Sequence, residues 1–180
     1  SCSMEGTGMT SHNASIPNGT YTADIGTTTL KAYCNDDEGF AIFAVGYTGD
    51  EIGGTNSTKL VGTNNSIVTG TATSGNTSNW AMKLATDSGA TYAITLDNSF
   101  GSYSAVPASY TKVAHRDSGT DIGTGATGAS LTTTYAAFIS KTESADIYNG
   151  KVKYTLVHPA NEEPLQPHPA TAGCINYFAN

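Results

Sequence analysis

The residues able to do chemistry are few and dispersed. The four histidines, His12, His115, His158 and His168, show no metal-ligand spacing. His115-Arg116-Asp117 is a compact polar triplet that reads as a strand end running into a turn. Carboxylates adjoin at Asp36-Asp37-Glu38 and at Glu162-Glu163. Neighbouring residues on a strand point to opposite faces, so neither group forms an acid/base pair by itself. Carboxylate and amide oxygens suit a hard cation, which makes Asp36, Asp37 and Glu38 the candidate metal ligands. Full calcium-loop spacing is lacking, and a solvated turn is the plainer reading. There is no GxSxG elbow, no phosphate-cradling GxxxxGK[ST] and no HExxH. No catalytic residue and no cofactor is therefore assigned. Trp80, Tyr92, Tyr103 and Tyr110 either line a sugar-binding face by ring stacking or serve as core aromatics.

Cys2, Cys34 and Cys174 lack CxxC spacing, which argues against zinc. Cys2 and Cys34 can close a disulfide worth roughly 3–4 kcal/mol in the chain-entropy treatment, given an oxidising compartment. The alternative is three buried free thiols. Cys174 is either free or paired beyond this chain.

The chain has 180 residues, enough for one domain with an appended fragment. A net charge of −7 argues against a nucleic-acid partner. About a quarter of the residues are Ser or Thr, and glycine is abundant, a composition of strands and turns. No stretch is long and apolar enough to enter a membrane, and the opening Ser1-Cys2 reads as a mature or trimmed product.

The elements that position these residues are strands. Thr28, Leu30, Ala32 and Cys34 share one face of an extended segment, whereas Phe40–Val45 is apolar on both parities. The polar loop Asn35–Gly39 between them predicts a hairpin. Asn79–Thr86, Tyr92–Leu96, Tyr103–Val106 and Tyr110–His115 read as further strands. Leu131–Ile139 and Lys151–Val157 predict an antiparallel pair, with Lys151 and Lys153 pointing away from the core, as Lys31 and Lys83 do in their strands. Residues 3–19 read as irregular. The whole predicts an all-β protein, an antiparallel immunoglobulin-like or pilin-like β-sandwich with long Gly/Thr/Asn-rich loops. Its expected limits are a sandwich over 1–158 and a Pro-rich linker or surface clamp over 159–173. Residues 174–180 then open a following strand or module, or pair back onto the sandwich.

Three segments carry a resemblance: Thr28–Thr48 (TTLKAYCNDDEGFAIFAVGYT), Asn79–Ala85 (NWAMKLA) and Leu131–Pro159 (LTTTYAAFISKTESADIYNGKVKYTLVHP). Together they resemble secreted surface-protein domains of Gram-positive and candidate-phylum bacteria such as Saccharibacteria. In that resemblance the tail GCINYFAN is similar to the start of an internalin-type B repeat. A looser likeness runs to the pilin and spore-coat-U sandwich, in which a first strand ends in a cysteine linked to the second strand, as Cys2 and Cys34 would be. Here almost nothing precedes Cys2, so that first strand is expected to be absent, leaving an edge to be covered or donated. The resulting expectation is a non-enzymatic extracellular domain of a bacterial cell-surface protein, a stalk or adhesin, monomeric or a filament subunit. Its partners would be glycans or proteins of a host or neighbouring cell. The alternatives are a carbohydrate-binding module and a pilus-like subunit assembled by strand donation.

Overall fold

The computed structural model describes residues 1–7, 16–73, 75–164 and 174–179, with 7, 21–24 and 174–179 described by backbone alone. The strands are β1 (Cys2–Thr7), β2 (Thr20–Cys34), β3 (Phe40–Gly46), β4 (Leu60–Val61), β5 (Ser66–Thr69), β6 (Asn79–Thr86), β7 (Thr95–Leu96), β8 (Thr111–Arg116), β9 (Ala129–Ile139), β10 (Val152–Val157) and β11 (Cys174–Ala179). They form a six-stranded sheet, β1-β2-β9-β6-β5-β4, and a five-stranded sheet, β11-β10-β3-β8-β7. Every pairing is antiparallel except that of β5 with β6. The protein is an all-β sandwich.

The core lies between the sheets. Leu30, Ala32, Leu131, Tyr135, Trp80 and Met82 come from the first sheet, and Phe40, Ile42, Tyr154 and Leu156 from the second. Alternation puts Thr27, Thr29 and Lys31 of β2 on the opposite face, where Thr27 is exposed and the other two half-buried. The hydroxyls of Tyr135 and Tyr154 meet at 2.6 Å, one from each sheet. Burial raises both phenols above their ordinary range, so the pair stays neutral and hydrogen-bonded.

The strands are where their apolar parity puts them, but their partners differ from expectation. β2 pairs with β1 and β9, while β3 pairs with β8 and β10. Asn35–Gly39 is therefore an arch that carries the chain from one sheet to the other, not a hairpin turn. Leu131–Ile139 and Val152–Val157 likewise lie in opposite sheets and face each other through side chains rather than backbone bonds. The reason is burial: all seven residues of β3 are covered, a condition met at the centre of a sheet inside a sandwich.

Three further corrections and one choice between alternatives follow. Cys2–Thr7, of which residues 3–7 were expected to be irregular, is a strand in register with β2 from Cys2 opposite Cys34 to Thr7 opposite Thr29. Tyr92–Leu96 contains strand only at Thr95–Leu96, and Tyr103–Val106 makes just a bridge from Ser104 to Met82. Lys153 does not point into solvent: it is 4 % exposed, with its ammonium 4.9 Å from the Tyr47 ring centre. It sits on the second face of β10, beside a small cluster of Ala41, Phe43, Val45, Tyr110 and Val157, and burial lowers its pKa. Finally, Cys174–Ala179 pairs back onto β10, in register from Cys174 opposite Val157 to Ala179 opposite Val152. The linker residues 165–173 lie outside the described residues.

Gly39 sits in the arch at φ 77°, and a Cβ there would overlap the Arg116 carbonyl oxygen. Gly49 has the same φ with open space around it. Gly39→Ala is expected to destabilise by more than about 1 kcal/mol, and Gly49→Ala by distinctly less. Urea unfolding of the two variants measures the difference, and equal losses would contradict the arch geometry.

Candidate functional site

One end of the sandwich gathers the chemistry-bearing residues. A disulfide joins Cys2 to Cys34 where β1 starts and β2 ends. The next residue is held to the chain's start in both directions. Asn35 N–H donates to the Ser1 carbonyl at 3.1 Å, and the Ser1 amine donates to Asn35 Oδ1 at 2.5 Å. Asp36 follows. Its Oδ1 accepts the Glu38 N–H at 2.9 Å, and its Oδ2 lies 3.0 Å from His158 Nδ1. The His158 hydrogen bond, then that of the Glu38 amide, hold the Asp36 carboxyl below its ordinary value.

His158 reaches this point because it is the first residue after β10, which runs beside β3. The chain is fixed just beyond it: Ala160 N–H donates to the Glu38 carbonyl at 3.2 Å, and Lys112 Nζ to the Ala160 carbonyl at 3.3 Å. A third segment enters through Thr120. Its hydroxyl accepts the Cys34 N–H at 2.8 Å, and its own N–H donates to the Cys34 carbonyl at 2.6 Å. Asp121 then accepts the N–H groups of Thr127 at 2.7 Å and Gly128 at 2.8 Å, which closes the flexible-looking Gly119–Gly128 stretch and lowers the Asp121 pKa. Alongside runs an open groove of about 480 Å³, lined by Ser1, Ser3, Glu5, Tyr33, Ile122 and Gly123, among others. Tyr33 donates to Glu5 Oε1 at 2.9 Å, and partial desolvation, then Glu5, raises the phenol's pKa.

The candidate metal ligands of the acidic loop do not converge. Asp36 faces His158, while Asp37 and Glu38 are exposed. Among the described residues, the one convergent cluster of metal-ligating side chains is Cys2, Cys34 and His158, with one ligand atom of each within 4.8 Å of the others. Sequence spacing missed it because His158 stands far along the chain from Cys34, at the opposite end of the domain's sequence. Only the crossing of strands from opposite sheets brings the two together. His158 is half-buried.

His115 occupies a different place. Its Nδ1 lies 2.7 Å from Asp97 Oδ2 and its Nε2 3.6 Å from Asp117 Oδ1, so both ring nitrogens face carboxylates. Glu162 and Glu163 are exposed, and His12 and His168 lie outside the described residues.

The four aromatic candidates do not form an open platform. Trp80 is buried with its indole N–H donating to the Thr58 carbonyl at 2.9 Å, and Tyr110 is buried. Tyr92 and Tyr103 are half-buried with cations over their rings, Arg116 at 5.3 Å and Lys83 at 5.1 Å. A cation therefore already sits over one face of each of these two rings.

The chain matches no protein-family model, no curated protein and no solved structure.

Asp146 repeats the role of Asp121: it accepts the N–H groups of Thr63 and Ile147, each at 2.7 Å, and its pKa is likewise lowered. A carboxyl with a depressed folded pKa contributes stability above its unfolded value, and that stability is lost as pH falls through the folded value. Thermal unfolding is therefore expected to show no contribution change from Asp36, Asp121 and Asp146 above pH ~5, and a progressive loss below pH ~4. The double variant Asp121→Asn/Asp146→Asn should have a shallower acid limb, read as melting temperature against pH. An unchanged limb would contradict the assignment.

Proposed function

We propose that this chain is a non-enzymatic extracellular domain of a bacterial cell-surface protein, acting as a structural stalk or adhesin unit. The observation that carries this reading is the use made of its polar groups: they fasten loops to a disulfide-clamped sandwich. Asp36, Asp121 and Asp146 accept backbone N–H groups, and His115 Nδ1 bonds the Asp97 carboxylate. A catalytic site needs a nucleophile or base aimed at an open position. The cysteine pairing adds support, because disulfides persist outside the reducing cytosol. The sequence resemblance to secreted surface-protein domains points the same way.

An adhesive role is favoured over a passive spacer by the open groove beside Tyr33 and Ile122. Ile122 is 43 % exposed at its rim, and an apolar side chain beside a polar tyrosine suits a protein or glycan surface. Filament assembly by strand donation finds less support, since β1 already fills the edge beside β2.

The domain is expected to be found on the outer surface of the native cell, cleaved by externally added protease. Cys2 and Cys34 there should be unreactive toward maleimide until a reductant is added. A broad screen of hydrolase and transferase substrates should return no turnover. Robust turnover, or a pair that labels without reductant, would overturn the reading.

A further inference from the structure

Cys2, Cys34 and His158 make more than a structural staple. Two sulfurs and an imidazole nitrogen lie within 4.8 Å of one another. That is the ligand set, two thiolates and one imidazole, of a tetrahedral site for a borderline-soft divalent ion with one position left open. Behind it stands Asp36, whose carboxylate engages His158 Nδ1 at 3.0 Å and so leaves Nε2 as the nitrogen available to an ion. A carboxylate behind a ligating histidine fixes the ring and its tautomer. The surroundings are also prepared. Cys34 is fully buried, its backbone held on both sides by Thr120, and β1 is held in register by β2. The two cysteines thus stay opposite each other by backbone pairing, whether or not their sulfurs are joined.

We propose that Cys2, Cys34 and His158, oriented by Asp36, form a zinc-type metal site that opens when the disulfide is reduced. In the oxidised protein the sulfurs are bonded to each other and the site is closed. A phosphine reductant attacks the disulfide and the S–S bond breaks. The phosphine leaves as its oxide, with oxygen from water, and the water's two hydrogens leave both sulfurs as thiols. A divalent ion then binds both sulfurs as thiolates and the neutral imidazole, displacing two protons to solvent. The fourth position is taken by water. This site does not depend on the proposed surface role, and its failure would leave that role untouched.

The test uses the full chain in a Cys174→Ser background, reduced with phosphine under anaerobic conditions and titrated with Co²⁺ alone. The expected result is thiolate-to-cobalt charge-transfer absorption, with visible ligand-field bands, at one ion per chain. The oxidised protein should give neither. His158→Ala, which leaves the cysteine pair intact, should weaken binding at least about tenfold, and Asp36→Asn about ten- to a hundredfold. Zn²⁺ should displace Co²⁺ and bleach the bands. Absence of the bands in the reduced protein overturns the proposal. So does His158→Ala binding as tightly as the parent, because the thiols would then be acting alone. Loss of the β-sheet circular dichroism on reduction also overturns it, since the site needs β1 held on β2.

Discussion

The strand Phe40–Gly46 is buried along its whole length on both faces, and much of the remaining structure follows from that. One face, with Phe40, Ile42 and Ala44, meets the core side chains of the opposite sheet. The other, with Ala41, Phe43 and Val45, is covered by Tyr110, Val157 and Ile52. A hairpin with β2 would have set that second face beside Thr29 and Lys31, on the polar side of β2. Placing β2 and β3 in different sheets resolves the conflict. Each buries its apolar parity against the other, and β3 keeps a second cover of its own. The same cover encloses Lys153, whose long apolar stem suits the patch while its ammonium meets the Tyr47 ring.

Strand parity was legible because it is local. Leu30, Ala32 and Cys34, then Trp80, Met82 and Leu84, then Leu131, Tyr135 and Ile139 all face inward as alternation requires. Strand partnership was not legible, because turn chemistry is silent about it. Asn35–Gly39, with a hydrogen bond from Gly39 N–H to the Asp36 carbonyl, suits a hairpin and an arch equally. The choice lies in what covers β3, which is a property of the whole fold. β1 escaped notice for another reason: only Cys2 and Met4 carry its apolar face, and Gly6 breaks the pattern. The acidic loop turns as an arch between the sheets rather than as a hairpin, and the partner of Asp36 arrives from the far side of the sequence.

The loops are long for a sandwich, yet polar side chains hold many of them down. With 15 acidic residues in 180, several carboxylates do the same task. Asp36, Asp87 and Asp146 each accept a backbone N–H from one or two residues on, and Asp121 accepts two from the far end of its own loop. Short polar side chains of this kind replace a missing strand partner with a local one. That explains how a chain rich in Gly, Thr and Asn keeps its connections in definite conformations. Of the candidate ligands in the acidic loop, Asp36 is one of these fasteners.

The sandwich has one flank where its two sheets end close together. β1 is the outermost strand of one sheet and β11 of the other, and their backbones lie against each other. Unpaired sheet edges invite pairing with other chains, and short, covered edges reduce that hazard. β1 is short, and its ladder to β2 is reinforced at its start by the disulfide. The arch, Thr120 and His158 all bond at the same corner. Separating β1 from β2 would thus disturb the entry to β3 and the exit from β10 together. The corner converts a weak edge into part of the core's cooperative unit.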